Sequence, residues 1–107
     1  MKNKCILIVT SRFYPEISDS LESESINLIK ERGYSYKVID VPGAFEVAAA
    51  ISCASENSKY IGYVALGCVI RGETSHYDYV CQESARALME LSLQGLSIGY
   101  GILTCEN

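Results

Sequence analysis

The sequence predicts an α/β domain on a parallel sheet, and three observations carry that expectation. Apolar runs of strand length alternate with amphipathic stretches of helix length in the order βαβαβαβ. The first run, Cys5-Ile6-Leu7-Ile8-Val9, is apolar at every position, as a central strand buried on both faces must be. The stretches between the runs are long enough to serve as crossovers between parallel neighbours.

Each element can be placed in turn. The polar Thr10-Ser11-Arg12 ends the first strand. From Ile17, apolar residues return at Leu21, Leu28 and Ile29 with helical spacing, and Gly33 after Arg32 is a natural helix stop. Tyr34 to Val41 is rich in β-branched and aromatic residues, and Pro42-Gly43 closes it, since proline lacks a ladder donor and glycine permits a sharp turn or a close backbone approach. Helical spacing resumes through Val47, Ala48, Ile51, Cys53 and Ala54, with Glu56-Asn57-Ser58 as the exit. Tyr60 to Leu66 is the third strand. A loop holding Gly67 and Gly72 leads to a third helix starting near Thr74 or Ser75, with Tyr77, Val80, Cys81, Ser84, Leu88 and Met89 on its inner side. Ser97 to Thr104 is the fourth strand.

Right-handed crossovers fix which face each helix covers. In a sheet ordered 2-1-3-4, the first helix lies on one face and the other two on the opposite face, which leaves strands three and four bare beside the first helix. The chain stops at Cys105-Glu106-Asn107, directly after a strand. The expected cover is therefore a set of C-terminal helices that this polypeptide lacks, or a partner.

Length and composition bound the rest. The 107 residues suffice for one core, so a single domain over residues 1–107 is expected. A net charge of -4 offers no general attraction to nucleic acid or anionic lipid, and any bound phosphate must be held locally. No apolar stretch approaches the roughly 18 residues needed to cross a bilayer. Met1-Lys2-Asn3-Lys4 runs into an apolar run too short for a secretory core, so a cytoplasmic location is expected. The 5 cysteines are odd in number and widely spaced, which suits reduced, buried small hydrophobes. Without a CxxC pair, and with His76 as the sole imidazole, no metal site is expected.

Ligands collect at the carboxyl ends of parallel strands, so the loops after the strands are the places to search. None carries a dinucleotide or Walker fingerprint. In the third loop, Gly72 lets the backbone approach a ligand while the following amides, Thr74 and Ser75 sit where a helix begins. This is either a phosphate seat or an ordinary helix cap. His76, in the same turn, is either a proton carrier or a lone surface histidine; histidine is the side-chain type that titrates closest to neutral pH. Phe13 is a stacking platform for a planar ring or a loop residue with ordinary packing. Glu46 either accepts hydrogen bonds from a polyhydroxy ligand or favours a helix dipole.

Taken together, Arg12-Phe13, Val41-Pro42-Gly43-Ala44-Phe45-Glu46, the run from Ala65-Leu66-Gly67-Cys68-Val69-Ile70-Arg71-Gly72-Glu73-Thr74-Ser75-His76 through Tyr77-Asp78-Tyr79-Val80, and Gly101-Ile102-Leu103-Thr104 with Glu106-Asn107 resemble the lumazine synthase family. The match keeps its order along nearly the whole chain, and its long third segment is far more specific than a glycine motif.

The resemblance implies a flavodoxin-like three-layer sandwich and a cofactor-free condensation of 5-amino-6-(ribitylamino)uracil with 3,4-dihydroxy-2-butanone 4-phosphate. The product is 6,7-dimethyl-8-ribityllumazine, made in the penultimate step of riboflavin biosynthesis. By the family's pattern Phe13 stacks on the pyrimidine, Glu46 holds ribityl hydroxyls, and the Ala44-Phe45 and Val69-Ile70 backbones frame ring and chain. Gly72, Glu73 and Thr74 bind the phosphate, and His76 shuttles protons. Tyr100 falls where the family usually has a Phe contributed by a neighbouring subunit. A homopentamer is implied, with larger shells in some members; the short segment ahead of Cys5 points to the pentamer. Three departures stand out. Tyr14 replaces a usual Asn, Glu24-Ser25 replaces a small Gly-Ala step whose loss is expected to disturb packing, and the family's phosphate-binding Arg lies beyond Asn107, so weak activity is expected of these 107 residues. Rival readings are a related riboflavin synthase and a non-catalytic module that binds flavin or forms shells.

Overall fold

The computed structural model describes residues 4–56, 59–71 and 76–105. The chain runs β1 (Cys5–Ser11), α1 (Pro15–Glu31), β2 (Ser35–Val41), a 3-10 turn (Ala44–Glu46), α2 (Val47–Ser55), β3 (Gly62–Ile70), α3 (His76–Leu93) and β4 (Ile98–Cys105). All neighbouring strands pair parallel, in the order β2-β1-β3-β4. The order and the flavodoxin-like layering match the expectation from sequence.

Strand alternation divides the core in two. Leu7 and Val9 of β1 join Tyr63, Ala65 and Val69 of β3 and Ile102 of β4 beneath α2 and α3, which contribute Val47, Ala48, Ile51, Val80 and Leu88. On the other face, Ile8 and Leu66 pack under Ile29 of α1, with Ile6, Leu21, Ile26 and Val38 at the margin. The helix ends follow from local chemistry. Pro15 occupies the start of α1, where its missing N–H costs nothing. Gly33 (φ 80°) and Gly95 (φ 101°) close α1 and α3 in the left-handed region that glycine alone adopts freely. At each, the two amides from the glycine onward turn back to the last helical carbonyls, Gly33 to Lys30 and Tyr34 to Ile29, Gly95 to Ser92 and Leu96 to Leu91.

Several expectations need correction. The first strand does not stop at Val9: Thr10 and Ser11 continue it and are fully buried. From α1, Glu22 accepts from Thr10 Oγ1 and Ser18 Oγ donates to the Ser11 carbonyl at 2.5 Å, while the buried Ser11 hydroxyl itself has no hydrogen-bond partner among the described residues. Gly67 is not a loop residue. The third strand runs on to Ile70 because its pairing with β4 continues to Ile70↔Cys105. A Cβ at Gly67 would lie 3.0 Å from Ser11 Cβ, so the glycine marks a close approach of two strands and no break.

Beside α1, β3 is not bare: Leu66 and Cys68 are buried, because α1, at 17 residues, reaches across β1 to β3. Only the β4 part of the expectation holds, with Gly99 and Leu103 exposed. Cys53, Leu28 and Met89, expected inside their helices, face solvent, whereas Ser18 is buried. The cysteines are free thiols, but only Cys68 is fully buried. Glu24 is exposed, so the change from a small residue disturbs no packing there. Among the described residues no helix is long and apolar enough to cross a membrane.

Candidate active site

At the carboxyl ends of the strands the chain forms a cleft of about 420 Å³. One wall, just past β1, is Phe13 and Tyr14; a second, past β2, is the stretch from Pro42 to Glu46; the third is Cys68, Val69 and Ile70 of β3 with His76, Tyr77 and Val80 of α3. The sheet order brings these together, since β1 and β3 are neighbours and each hands its following residues to the same rim.

Phe13 is 68% exposed, far more than an aromatic ring with ordinary loop packing, and meets Tyr14 edge-on with ring centres 5.0 Å apart. Phe45 is likewise exposed across the cleft. The two rings present apolar surface to a recess also lined by Val69, Ile70 and Val80, the arrangement expected of a slot for a planar heterocycle.

The second wall is fixed from below. Ala44 is buried and its carbonyl accepts a hydrogen bond from the buried Ser84 Oγ of α3 at 3.1 Å, which ties the 3-10 turn to that helix. Glu46 donates its amide to the Gly43 carbonyl at 3.1 Å, and its carboxylate lies over the Gly43 α-carbon, where a Cβ would come within 3.2 Å of Oε2. Gly43 is extended, so its dihedral freedom is not used here; a side chain would instead press on the Glu46 carboxylate and shift it by a few tenths of an ångström. An exposed Glu46 carboxylate at the mouth can accept hydrogen bonds from hydroxyls.

On the third wall, His76 is the first described residue of α3 and is exposed to the cleft. Arg71 packs on the residues that follow it: its guanidinium lies 4.4 Å from the centre of the Tyr77 ring and donates to Asp78 at 3.2 Å, while its amide donates to the Cys105 carbonyl at 2.8 Å. Arg71 thereby links the ends of β3 and β4 to the first turn of α3.

The structure thus brings Phe13, Ala44, Phe45, Glu46, Val69, Ile70 and His76 to one cleft. Val69 and Ile70 belong to the strand and not to a loop. Tyr100 is apart: it lies on β4, half exposed, outside this cleft. Burial and the nearby Cys81 raise its phenol above the usual tyrosine range. Gly72, Glu73 and Thr74 lie outside the described residues. Tyr14, Tyr77 and Val80 are lining residues that the sequence did not mark out for the site; Tyr14 follows Phe13 directly, and Tyr77 and Val80 stand on the inner face of the helix that carries His76.

Residues 3–107 match the family model described as 6,7-dimethyl-8-ribityllumazine synthase. Curated relatives bearing that name include a protein of Bartonella bacilliformis, 53% identical over 108 residues, which cover 98% of this chain and 71% of the relative. One of Zymomonas mobilis is 52% identical over 101 residues, covering 94% of this chain and 73% of the relative. One of Agrobacterium fabrum is 48% identical over 113 residues, covering 100% of this chain and 76% of the relative.

Proposed function

The chain belongs to the 6,7-dimethyl-8-ribityllumazine synthase family and carries that family's enzymatic function, and we propose that the cleft at the carboxyl rim of its sheet is where the two substrates meet. These are 5-amino-6-(ribitylamino)uracil and 3,4-dihydroxy-2-butanone 4-phosphate; the products are 6,7-dimethyl-8-ribityllumazine, phosphate and water.

The observation that carries the assignment of the site is the convergence of Phe13, Phe45, Glu46 and His76 on one recess. Phe13 stacks on the pyrimidine, Glu46 accepts from ribityl hydroxyls, and the backbones at Ala44-Phe45 and Val69-Ile70 frame ring and chain. Gly72, Glu73 and Thr74 seat the phosphate, a role supported by their position immediately before α3 and by the family resemblance. The pyrimidine's primary amine attacks the ketone and water leaves as the imine forms. Phosphate then departs by elimination, and after tautomerisation the ribityl-bearing nitrogen closes the ring with loss of a second water. Each step moves a proton, which His76 relays between nitrogen and oxygen. The remaining acceleration comes from holding two reactants in line, so no cofactor enters the scheme.

Tyr100 supports a further part of the reading. It is half exposed on β4 and does not line its own cleft, which supports the proposal that it completes a neighbour's site in a homopentamer working in the cytoplasm.

The test is to incubate the chain with both substrates and follow the absorbance of the lumazine. His76→Ala should slow turnover by about 10²- to 10⁴-fold, with affinity for inorganic phosphate changed less than about twofold and partial rescue by added imidazole. Equal losses in turnover and phosphate affinity would count against the proton relay. Riboflavin formed from the lumazine alone would assign the chain to the next step instead.

A further inference from the structure

Arg12 is absent from the cleft, yet it stands between the end of β1 and the exposed ring of Phe13. Its surroundings are unusual. Nε donates to Asp40 at 2.8 Å, Nη1 donates to Asp19, and Nη2 donates to both oxygens of Glu22 at 2.5 and 2.6 Å. Glu22 is further held by the Thr10 hydroxyl at 3.2 Å, and the Arg12 amide donates to the Val41 carbonyl at 3.4 Å. One cation therefore has three carboxylate partners, drawn from α1 and from the end of β2.

Exposed ion pairs contribute little to stability, and neutralising Arg12 would take only one carboxylate. Three carboxylates arranged around the fork, each on a different nitrogen and Glu22 turning both its oxygens to Nη2, fix the guanidinium in plane and in rotation. Asp19 and Asp40 are largely exposed, but Glu22 is 16% exposed, so the Glu22 contact is the partly desolvated one. With every guanidinium nitrogen engaged, Arg12 is not a phosphate ligand. What it does hold is the backbone from which Phe13 projects, and a ring as exposed as Phe13 has few packing contacts of its own to fix its direction.

We infer that Arg12 is a positioning residue, which through its three-carboxylate clamp sets the orientation of the Phe13 ring and thereby the affinity of the cleft for a planar, ribityl-bearing heterocycle. The inference rests on the reading of Phe13 as the stacking surface.

The experiment is fluorescence titration of the full chain with 6,7-dimethyl-8-ribityllumazine, for the wild type, Arg12→Gln, Asp40→Asn, Phe13→Ala and the double variant Arg12→Gln/Phe13→Ala. Arg12→Gln should weaken binding by about tenfold. Asp40→Asn, which leaves the Glu22 and Asp19 contacts in place, should weaken it by about threefold and serves if Arg12→Gln fails to fold. Because Arg12 acts through the ring, the double variant should bind no more weakly than Phe13→Ala alone, the non-additivity expected of coupled residues. A loss in the double variant equal to the product of the single losses overturns the inference and leaves Phe13 stacking intact, as does wild-type affinity in both Arg12→Gln and Asp40→Asn. Wild-type affinity in Phe13→Ala overturns the stacking role and this inference with it.

Discussion

The two sides of the sheet solve the same packing problem differently. Beneath α2 and α3 the strands contribute Leu7, Val9, Tyr63, Ala65, Val69 and Ile102 to a continuous apolar layer closed by Val47, Ile51, Val80 and Leu88. Beneath α1 the buried apolar core is Ile8, Leu66 and Ile29, and the helix is held to the sheet in large part by polar contacts: Ser18 to the Ser11 carbonyl, Thr10 to Glu22, and Arg12 to Asp19 and Glu22. The dense side carries α3 and the 3-10 turn, hence His76, Phe45 and Glu46. The polar side carries the clamp behind Phe13. A rigid apolar layer can support exposed functional side chains at its rim without relying on them for stability, whereas on the α1 side structure and the setting of Phe13 share the same residues.

The largest expected effect breaks or sustains that comparison directly. Ile51 is fully buried in the dense layer, so Ile51→Ala should cost about 3–5 kcal/mol of unfolding free energy, the sum of lost transfer energy and the cavity left in a layer that cannot collapse. Ile29→Ala, in the smaller cluster over β1 and β3, should cost about 2 kcal/mol, because the few neighbouring side chains of that cluster can relax into the gap. Urea denaturation of both variants measures the difference. Equal costs would mean that the two layers are equally tight.

Much of this organisation can be read from the chain itself. The period of the apolar residues yields four strands and three helices, and for a sheet ordered 2-1-3-4 right-handed crossovers yield the face each helix takes. The cleft was legible because Phe13, Glu46 and His76 each follow directly on a strand or begin a helix. What failed was local. Gly67 carries the signature of a loop, yet it belongs to β3 because it pairs with Ile102 of β4, 35 positions away in the sequence, so no short-range pattern reveals it. Thr10 and Ser11 look like a polar terminus, but the Thr10 hydroxyl is met by Glu22 and the Ser11 carbonyl by Ser18, both on α1. The Arg12 clamp was invisible for the same reason: Asp19, Glu22 and Asp40 have no spacing that marks them as partners of one guanidinium until the helix and β2 are placed.

A second prediction uses two glycines, one facing each side. At Gly67 an added Cβ would meet Ser11 Cβ at 3.0 Å, an atom fixed to a buried strand. At Gly101 it would meet Leu66 Cδ2 at 2.8 Å, the far end of a buried side chain on the α1 side, although the Ala65 carbonyl is also close at 3.3 Å. Gly67→Ala should therefore destabilise by about 1–3 kcal/mol through overpacking. Gly101→Ala should cost less than about 1 kcal/mol, since Leu66 can rotate and the loss of glycine's freedom in the unfolded chain offsets part of the strain. Thermal melts of the two variants rank them, and the reverse ranking would show that the α1 side is the unyielding one.

The smallest effect concerns alkali. Each side keeps a weak acid neutral by burial. Burial, and after it the charge of the neighbouring Cys105, raise the Cys68 thiol on the α1 side above its ordinary value of 9.0; burial, with a contribution from Tyr60, raises the Tyr63 phenol beneath α2 and α3 above 10.0. In both cases the folded chain holds a proton that the unfolded chain releases. The stabilisation is complete below the unfolded value and is lost as pH climbs through the raised, folded one, so unfolding gains on folding from about pH 9 for Cys68 and about pH 10 for Tyr63. The α1 side should thus be the first to feel alkali. Denaturation curves at pH 8, 9 and 10 under reducing conditions should show a decline between pH 9 and 10 that Cys68→Ala flattens and Tyr63→Phe does not. If Tyr63→Phe alone removed that decline, the dense side would be the alkali-sensitive one and the contrast between the layers would not extend to their ionisable groups.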